Sequence, residues 1–212
     1  MSHLLQSYYD VSKLVIWGEA ELNAKRPRLV FGFRDGNPRI TVYTGEEGAN
    51  GVISFPTDYP SMATIATIIR DVANGSNEDK VSIDALVTKY ENNTPLKEKR
   101  LLSTFYIGKS KEGIVYFCLF SDNKPKHVFP IKPSDFHVFR DSGKNIISSE
   151  IISKKMAIGI SDILLNIISS VILSYTNEEL DAGLKKSVKI KGREQPAHDS
   201  NPPTTTIEEL DI

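Results

Sequence analysis

The chain has 212 residues, 40% of them hydrophobic and 25% charged, which is a globular composition with room for one large domain or two small ones. Its net charge of −1 conceals an asymmetry. Residues 194–212 carry five carboxylates and no Lys or Arg, and the remainder holds 26 basic against 22 acidic residues. A single cysteine, Cys118, excludes an intrachain disulfide and suits a reducing cytoplasm. "MSHLLQSYYD" is too polar for a signal peptide, and the longest apolar run, "MAIGISDILLNIISSVIL", is interrupted by Asp162, Asn166 and serines, so no membrane span is expected.

The first elements in chain order are four short runs rich in β-branched and aromatic residues: "KLVIWGEA", "RLVFGFR", "RITVYT" and "GVISFP". "RDGNP" carries the Asp-Gly signal of a tight hairpin. "GEEGANG" lacks the Gly-Lys-Ser/Thr of a phosphate-binding loop and reads as a hairpin loop. After "FP" the period changes. Thr57 or Asp58 caps a helix, Pro60 sits in its first turn, Met62, Ile65, Ile69 and Val72 follow at helical spacing, and Asn74-Gly75 ends it.

The second half repeats this grammar. Strands are expected near 81–90, 100–109, 114–120 and 126–131, with a short additional one at 135–140. A long helix follows over roughly 148–174, its main stripe Ile152, Met156, Ile160, Ile163, Ile167 and Val171, with Leu164 and Ile168 beside it. Apolar residues cover so much of its circumference that a second partner surface, such as another subunit, is expected. Residues 184–193 read as a basic connector and 194–206 as a disordered linker.

The two halves also match as text. "VSKLVIWGEAELNAKRPRLVF" and "VSIDALVTKYENNTPLKEKRLL" both open on Val-Ser, reach Asn23 and Asn93 at equal distance, and continue through a basic stretch into a strand, a turn, a strand and an "FP" ending. The expected fold is therefore α+β: two pseudo-symmetric repeats of four strands and a helix, about 8–75 and 80–175, within a domain of 1–183, followed by a tail of 184–212.

Little in the chain frames catalysis. His3, His127, His137 and His198 show no metal-ligand spacing with one another or with Cys118. No nucleophile motif is present. Glu19 and Glu21 share a strand face and could do acid–base work, although a solvated sheet edge is the plainer reading. No enzyme, metal or cofactor is expected.

Alternation sorts the first-half strands into faces. One face combines Lys13, Trp17, Arg28, Arg34, Arg39 and Tyr43. The second half offers Arg100, Tyr106, Lys109, Lys111 and Tyr116, with Lys124 and Lys126 further on. Cations beside rings on an open sheet suit single-stranded nucleic acid, because phosphates are neutralised by Lys and Arg and unpaired bases stack on rings.

The chain ends in "TTTIEELDI". A linker tipped by Glu208, Glu209, Leu210, Asp211 and Ile212 resembles the acidic C-terminal tails of bacterial and bacteriophage single-stranded DNA-binding proteins. That resemblance implies recruitment of replication or recombination proteins and competition with DNA for a basic groove. The repeated order of elements resembles the Whirly group of single-stranded DNA binders over roughly residues 8–175. It rests on the order of elements and not on the lysine-rich signature of plant Whirly proteins, which is not recognisable here. Together these imply a non-enzymatic, sequence-tolerant single-stranded DNA-binding protein of replication, recombination or repair. It would be oligomeric and cytoplasmic, in the bacterial host cytoplasm if the chain is viral. A protein–protein adaptor or assembly factor and an RNA-binding regulator stand as alternatives.

Overall fold

Alternating apolar residues build two antiparallel sheets in this computed structural model, which describes residues 14–19, 25–34, 37–92, 94–122, 124–134 and 136–191, with backbone alone at 49 and 174–191. The first sheet comprises β1 (Leu14–Trp17), β2 (Arg28–Arg34), β3 (Asn37–Tyr43) and β4 (Val52–Pro56), in that order across the sheet. The second comprises β5 (Lys80–Glu91), β6 (Thr94–Lys109), β7 (Val115–Phe120) and β8 (His127–Pro130), also in sequence order. Helix α1 (Tyr59–Asn74) joins the sheets and α2 (Ser149–Lys191) follows the second. The fold is thus α+β, with four strands, a helix, four strands and a helix, as the sequence pattern predicts.

Each turn has a local cause. Arg34 pairs with Asn37 where β2 turns into β3, at the Asp-Gly signal. The glycine-rich segment read as a hairpin loop joins the antiparallel neighbours β3 and β4 and contains a 3₁₀ turn at Gly48–Gly51. Gly45 there has φ +89, and a Cβ would run into the Lys25 carbonyl. Asp58 caps α1 by accepting a 2.7 Å bond from the Ser61 backbone N–H, with Pro60 in the first turn.

The inner faces of both sheets meet in one core. Phe31 stands edge-on to Phe105 at 6.0 Å and to Phe117 at 5.8 Å, and Phe55 reaches Phe105 at 6.1 Å. Helix α1 closes this core with Met62, Ile65, Ala66, Ile69, Val72 and Ala73. The α2 stretch before Ser174 packs on α1, where the Ser161 hydroxyl donates to the Ala66 carbonyl at 2.6 Å and Arg70 pairs with Asp162. The Ser153 hydroxyl accepts from the Val115 N–H at 2.8 Å, fixing α2 to the start of β7. The open edge of β4 is blunted by side chains of the second half: Ser103 donates to the Ser54 carbonyl and Lys124 to the Val52 carbonyl.

Four expectations are corrected. Strand β6 begins at Thr94 and not near 100, because β5 and β6 continue outward as a two-stranded ribbon. Of the short strand expected at 135–140, the described residues 136–140 form none and contribute one isolated bridge, Arg140 to Ile146. The buried stripe of α2 runs through Ile152, Ser153, Ala157, Ile160, Ser161, Leu164 and Ile168, while Ile163 is exposed. The two serines belong to this face because each satisfies a buried backbone group. Finally, α2 continues to Lys191, through much of the expected connector; no proline stands in the way.

By length and apolarity Ser149–Leu173 could cross a membrane; its buried stripe packs against the core. The chain divides into two compact units, Met1–Leu173 and Ser174–Ile212. The described part of the second is the helical backbone to Lys191. Residues 192–206 and the tail residues Glu208, Glu209, Leu210, Asp211 and Ile212 lie outside the described residues.

Candidate nucleic-acid interface

Strict alternation in β1 to β4 puts Leu29, Phe31, Ile40, Val42, Ile53 and Phe55 inward, and turns their neighbours outward. The register then aligns one row across the whole first sheet: Trp17 faces Arg28, Arg28 faces Tyr43, and Tyr43 faces Val52. All four are exposed, Trp17 by 38% and Tyr43 by 39%. The Arg28 guanidinium carbon lies 5.8 Å from the Trp17 ring centroid and 4.6 Å from that of Tyr43. Each such contact contributes about 0.5–1 kcal/mol at an exposed site, so cation and rings form one preassembled unit. The Lys124 ammonium, 2.6 Å from the Val52 carbonyl, ends the row with a second cation.

Further along the same face, Arg39 stands between Gly32 and Pro56. Its Nε is shielded from solvent and has no hydrogen-bond partner among the described residues, a costly arrangement for a charged group unless an acceptor arrives. Arg34 pairs with Asn37 at the hairpin end of this face. Five of the six first-half residues expected on one surface therefore share it: Trp17, Arg28, Arg34, Arg39 and Tyr43. The sixth, Lys13, lies outside the described residues.

The second sheet gathers a different cluster. Tyr106 and Tyr116 are on its outer face, with Lys80 opposite Gly108 and Gly108 opposite Tyr116. The Lys80 ammonium sits 4.2 Å above the Tyr106 ring. The Tyr116 ring lies across Gly108, where any Cβ would collide with it. Cys118 has the same outward parity yet is 1% exposed, and burial pushes its thiol up, partly opposed by Lys126 and Lys80. Lys80 was missed from the sequence because only the register, which sets it level with Gly108, brings it over Tyr106.

Lys109 does not join this surface. Its parity matches that of Phe105 and Ile107, so it points inward, is 6% exposed, and donates at 3.1 Å to the Gly75 carbonyl. A cation at the C-terminal end of α1 meets the negative end of the helix dipole there. Lys111 is exposed on the β6–β7 turn, 3.8 Å from Glu78. Arg100 stands on the projecting ribbon, opposite Val87. Glu19 pairs with Lys132 at 3.5 Å, and Glu21 lies outside the described residues. Among the described residues no group of His, Cys, Asp and Glu has the makings of a metal site.

Compared with known protein families, curated proteins and solved structures, the chain matches none.

Proposed function

We propose that this protein binds single-stranded DNA without regard to sequence, through the outer face of the first sheet. The observation that carries the reading is the row Trp17–Arg28–Tyr43, in which a guanidinium is held against two exposed rings. Unpaired bases need flat rings, worth roughly 1–3 kcal/mol per base, and their phosphates need cations. Arg34, Arg39 and Lys124 extend the positive track, and Lys80, Tyr106 and Tyr116 offer a second stacking platform. A Whirly-like pair of pseudo-symmetric repeats is the finer architectural reading, supported by the matching strand orders. Protection of exposed strands in replication, recombination or repair follows as the role, without catalysis. The acidic residues 208–212 would recruit partner proteins. Apolar Ile163, Ile172 and Leu173, exposed on α2, favour an oligomer.

Titration with oligo-dT tests this. Quenching of Trp17 that weakens steeply with salt is the expected result, and the Arg28→Ala/Arg34→Ala/Arg39→Ala variant should flatten the log–log salt slope by about 2. Silence at low salt would sink the reading. A second reading, a protein–protein adaptor, draws on Phe136, Val138, Phe139 and Ile146, which stand exposed together in the segment before α2. Matched DNA and RNA oligomers separate the RNA-binding alternative through the 2′-hydroxyl.

A further inference from the structure

Beyond Ala85 and Ser103 the second sheet stops being a sheet. Strands β5 and β6 continue alone, pairing Leu86 with Leu101, Val87 with Arg100, Thr88 with Lys99, and Tyr90 with Pro95. Strand β6 loses β7 at Thr104; a register shift at Ala85/Leu86 stands at that point and a second, at Thr88/Tyr90, lies within the ribbon. Nearly every residue of the ribbon is exposed, Val87 alone being half-buried. A two-stranded ribbon without packing is at best marginal in water, and this one bares Leu86, Tyr90, Leu96 and Leu101. It is built to be covered.

Its charges indicate what covers it. Lys89, Lys97, Lys99 and Arg100 stand against Glu91 and Glu98. Glu98 is engaged by Lys89 at 2.8 Å, while Lys97, Lys99 and Arg100 make no ion pair among the described residues. The ribbon thus presents three uncommitted cations, aliphatic side chains and only one ring. That set is poor for stacking unpaired bases and suited to a groove. The major groove of a duplex, about 12 Å wide, admits a two-stranded ribbon whose strands lie about 4.8 Å apart. Apolar side chains are the groups proteins use to wedge against base steps.

The ribbon is also continuous with the ring cluster. Alternation along β5 puts Lys80, Ser82, Asp84, Leu86, Thr88 and Tyr90 on one face, the face that carries Tyr106 and Tyr116. A strand lying over those tyrosines is led toward the Leu86–Leu101 pair at the ribbon's root. We propose that residues 86–101 grip duplex DNA where it meets a single strand, with Lys97, Lys99 and Arg100 on its phosphates and Leu86 and Leu101 against its last base pair. The inference rests on the single-strand reading above and adds to it a junction preference.

Fluorescence anisotropy with a labelled dT oligomer, and with the same oligomer ending in a short duplex, tests it. The full chain should bind the tailed duplex about tenfold more tightly, roughly 1.4 kcal/mol. Lys97→Gln/Lys99→Gln should bring the two affinities together, leave the dT affinity unchanged, and lower the salt slope for the tailed duplex by about 2. Leu86→Ser/Leu101→Ser should abolish the fluorescence rise of a 2-aminopurine in the last base pair; both positions are exposed, so the fold survives. Equal affinity of the wild type for the two oligomers overturns the proposal, as does a double variant that weakens both equally. A double variant that keeps the junction preference overturns it too, and a changed sedimenting mass would then point to a ribbon that clasps a second copy. Binding to neither oligomer overturns the single-strand reading itself, and the junction preference with it.

Discussion

The two sheets share a strand order and differ in what their outward faces do with it. In the first, a whole row, Trp17, Arg28, Tyr43 and Val52, stands in register across four strands. In the second, the cluster of Lys80, Tyr106 and Tyr116 comes from three strands, stands beside a buried thiol, and gives way to a ribbon that departs from the sheet. The difference lies in register fidelity. β2, β3 and β4 pair without interruption, so every second residue turns to the outer face together. The β5–β6 pair shifts twice and runs on alone after β6 loses β7 at Thr104. One sheet presents a flat platform; the other presents a smaller platform with a handle.

The strongest way to break that contrast is to show that the sheets are independent. Phe105 touches Phe31 and Phe55 of the first sheet and Phe117 of its own. Phe105→Ala should cost about 3–5 kcal/mol and should shift urea unfolding followed by Trp17 fluorescence and by far-ultraviolet circular dichroism equally. Two separated transitions would mean that the sheets do not share a core.

A smaller effect sharpens the second sheet's own division of labour. Lys80 and Lys109 lie on neighbouring strands with opposite parity. Lys109→Met removes a charged donor from the Gly75 carbonyl and should cost about 1–3 kcal/mol of stability with oligonucleotide binding unchanged. Lys80→Met should do the reverse, leaving stability within about 0.5 kcal/mol and weakening binding. Thermal unfolding and the oligo-dT titration, run on both variants, read the two columns of this exchange; matching outcomes for the two lysines would erase the distinction.

The same parity explains what could be read from the chain alone. The first sheet's faces were legible because Arg28 and Arg34 share the parity opposite to Leu29, Phe31 and Phe33, and because polar and apolar residues alternate from Arg39 to Val42. The order of strands and helices was legible from changes of period, and the α1 boundaries from Asp58, Pro60 and Gly75. Lys109 was misplaced because a lysine at an inward position looks the same, in sequence, as one at an outward position; the helix end that receives it is 34 residues away. The ribbon was cut short because "TPLKEKRLL" has no clean alternation, and its pairing depends on β5 continuing beside it. The α2 stripe was rotated because isoleucines surround that helix, and two serines, not the apolar count, mark the buried side.

The smallest effect concerns α1, the element both sheets lean on. Ser61, through its hydroxyl and then its backbone N–H, holds the Asp58 carboxyl below the usual carboxylate range. Its stabilising contribution is therefore full above the ordinary aspartate value of about 3.9 and is lost as pH falls through the lower value of the folded state. Asp58→Ala should cost about 1 kcal/mol at neutral pH, and the gap to the wild type should close as the pH is taken below about 4. Since α1 contributes Ile65, Ala66 and Ile69 to the shared core, loosening its first turn should lower the unfolding midpoints seen by Trp17 and by circular dichroism together. A gap that persists unchanged into acid would mean that Asp58 acts through something other than its charge on the helix cap, and a shift confined to one signal would place α1 with one sheet alone.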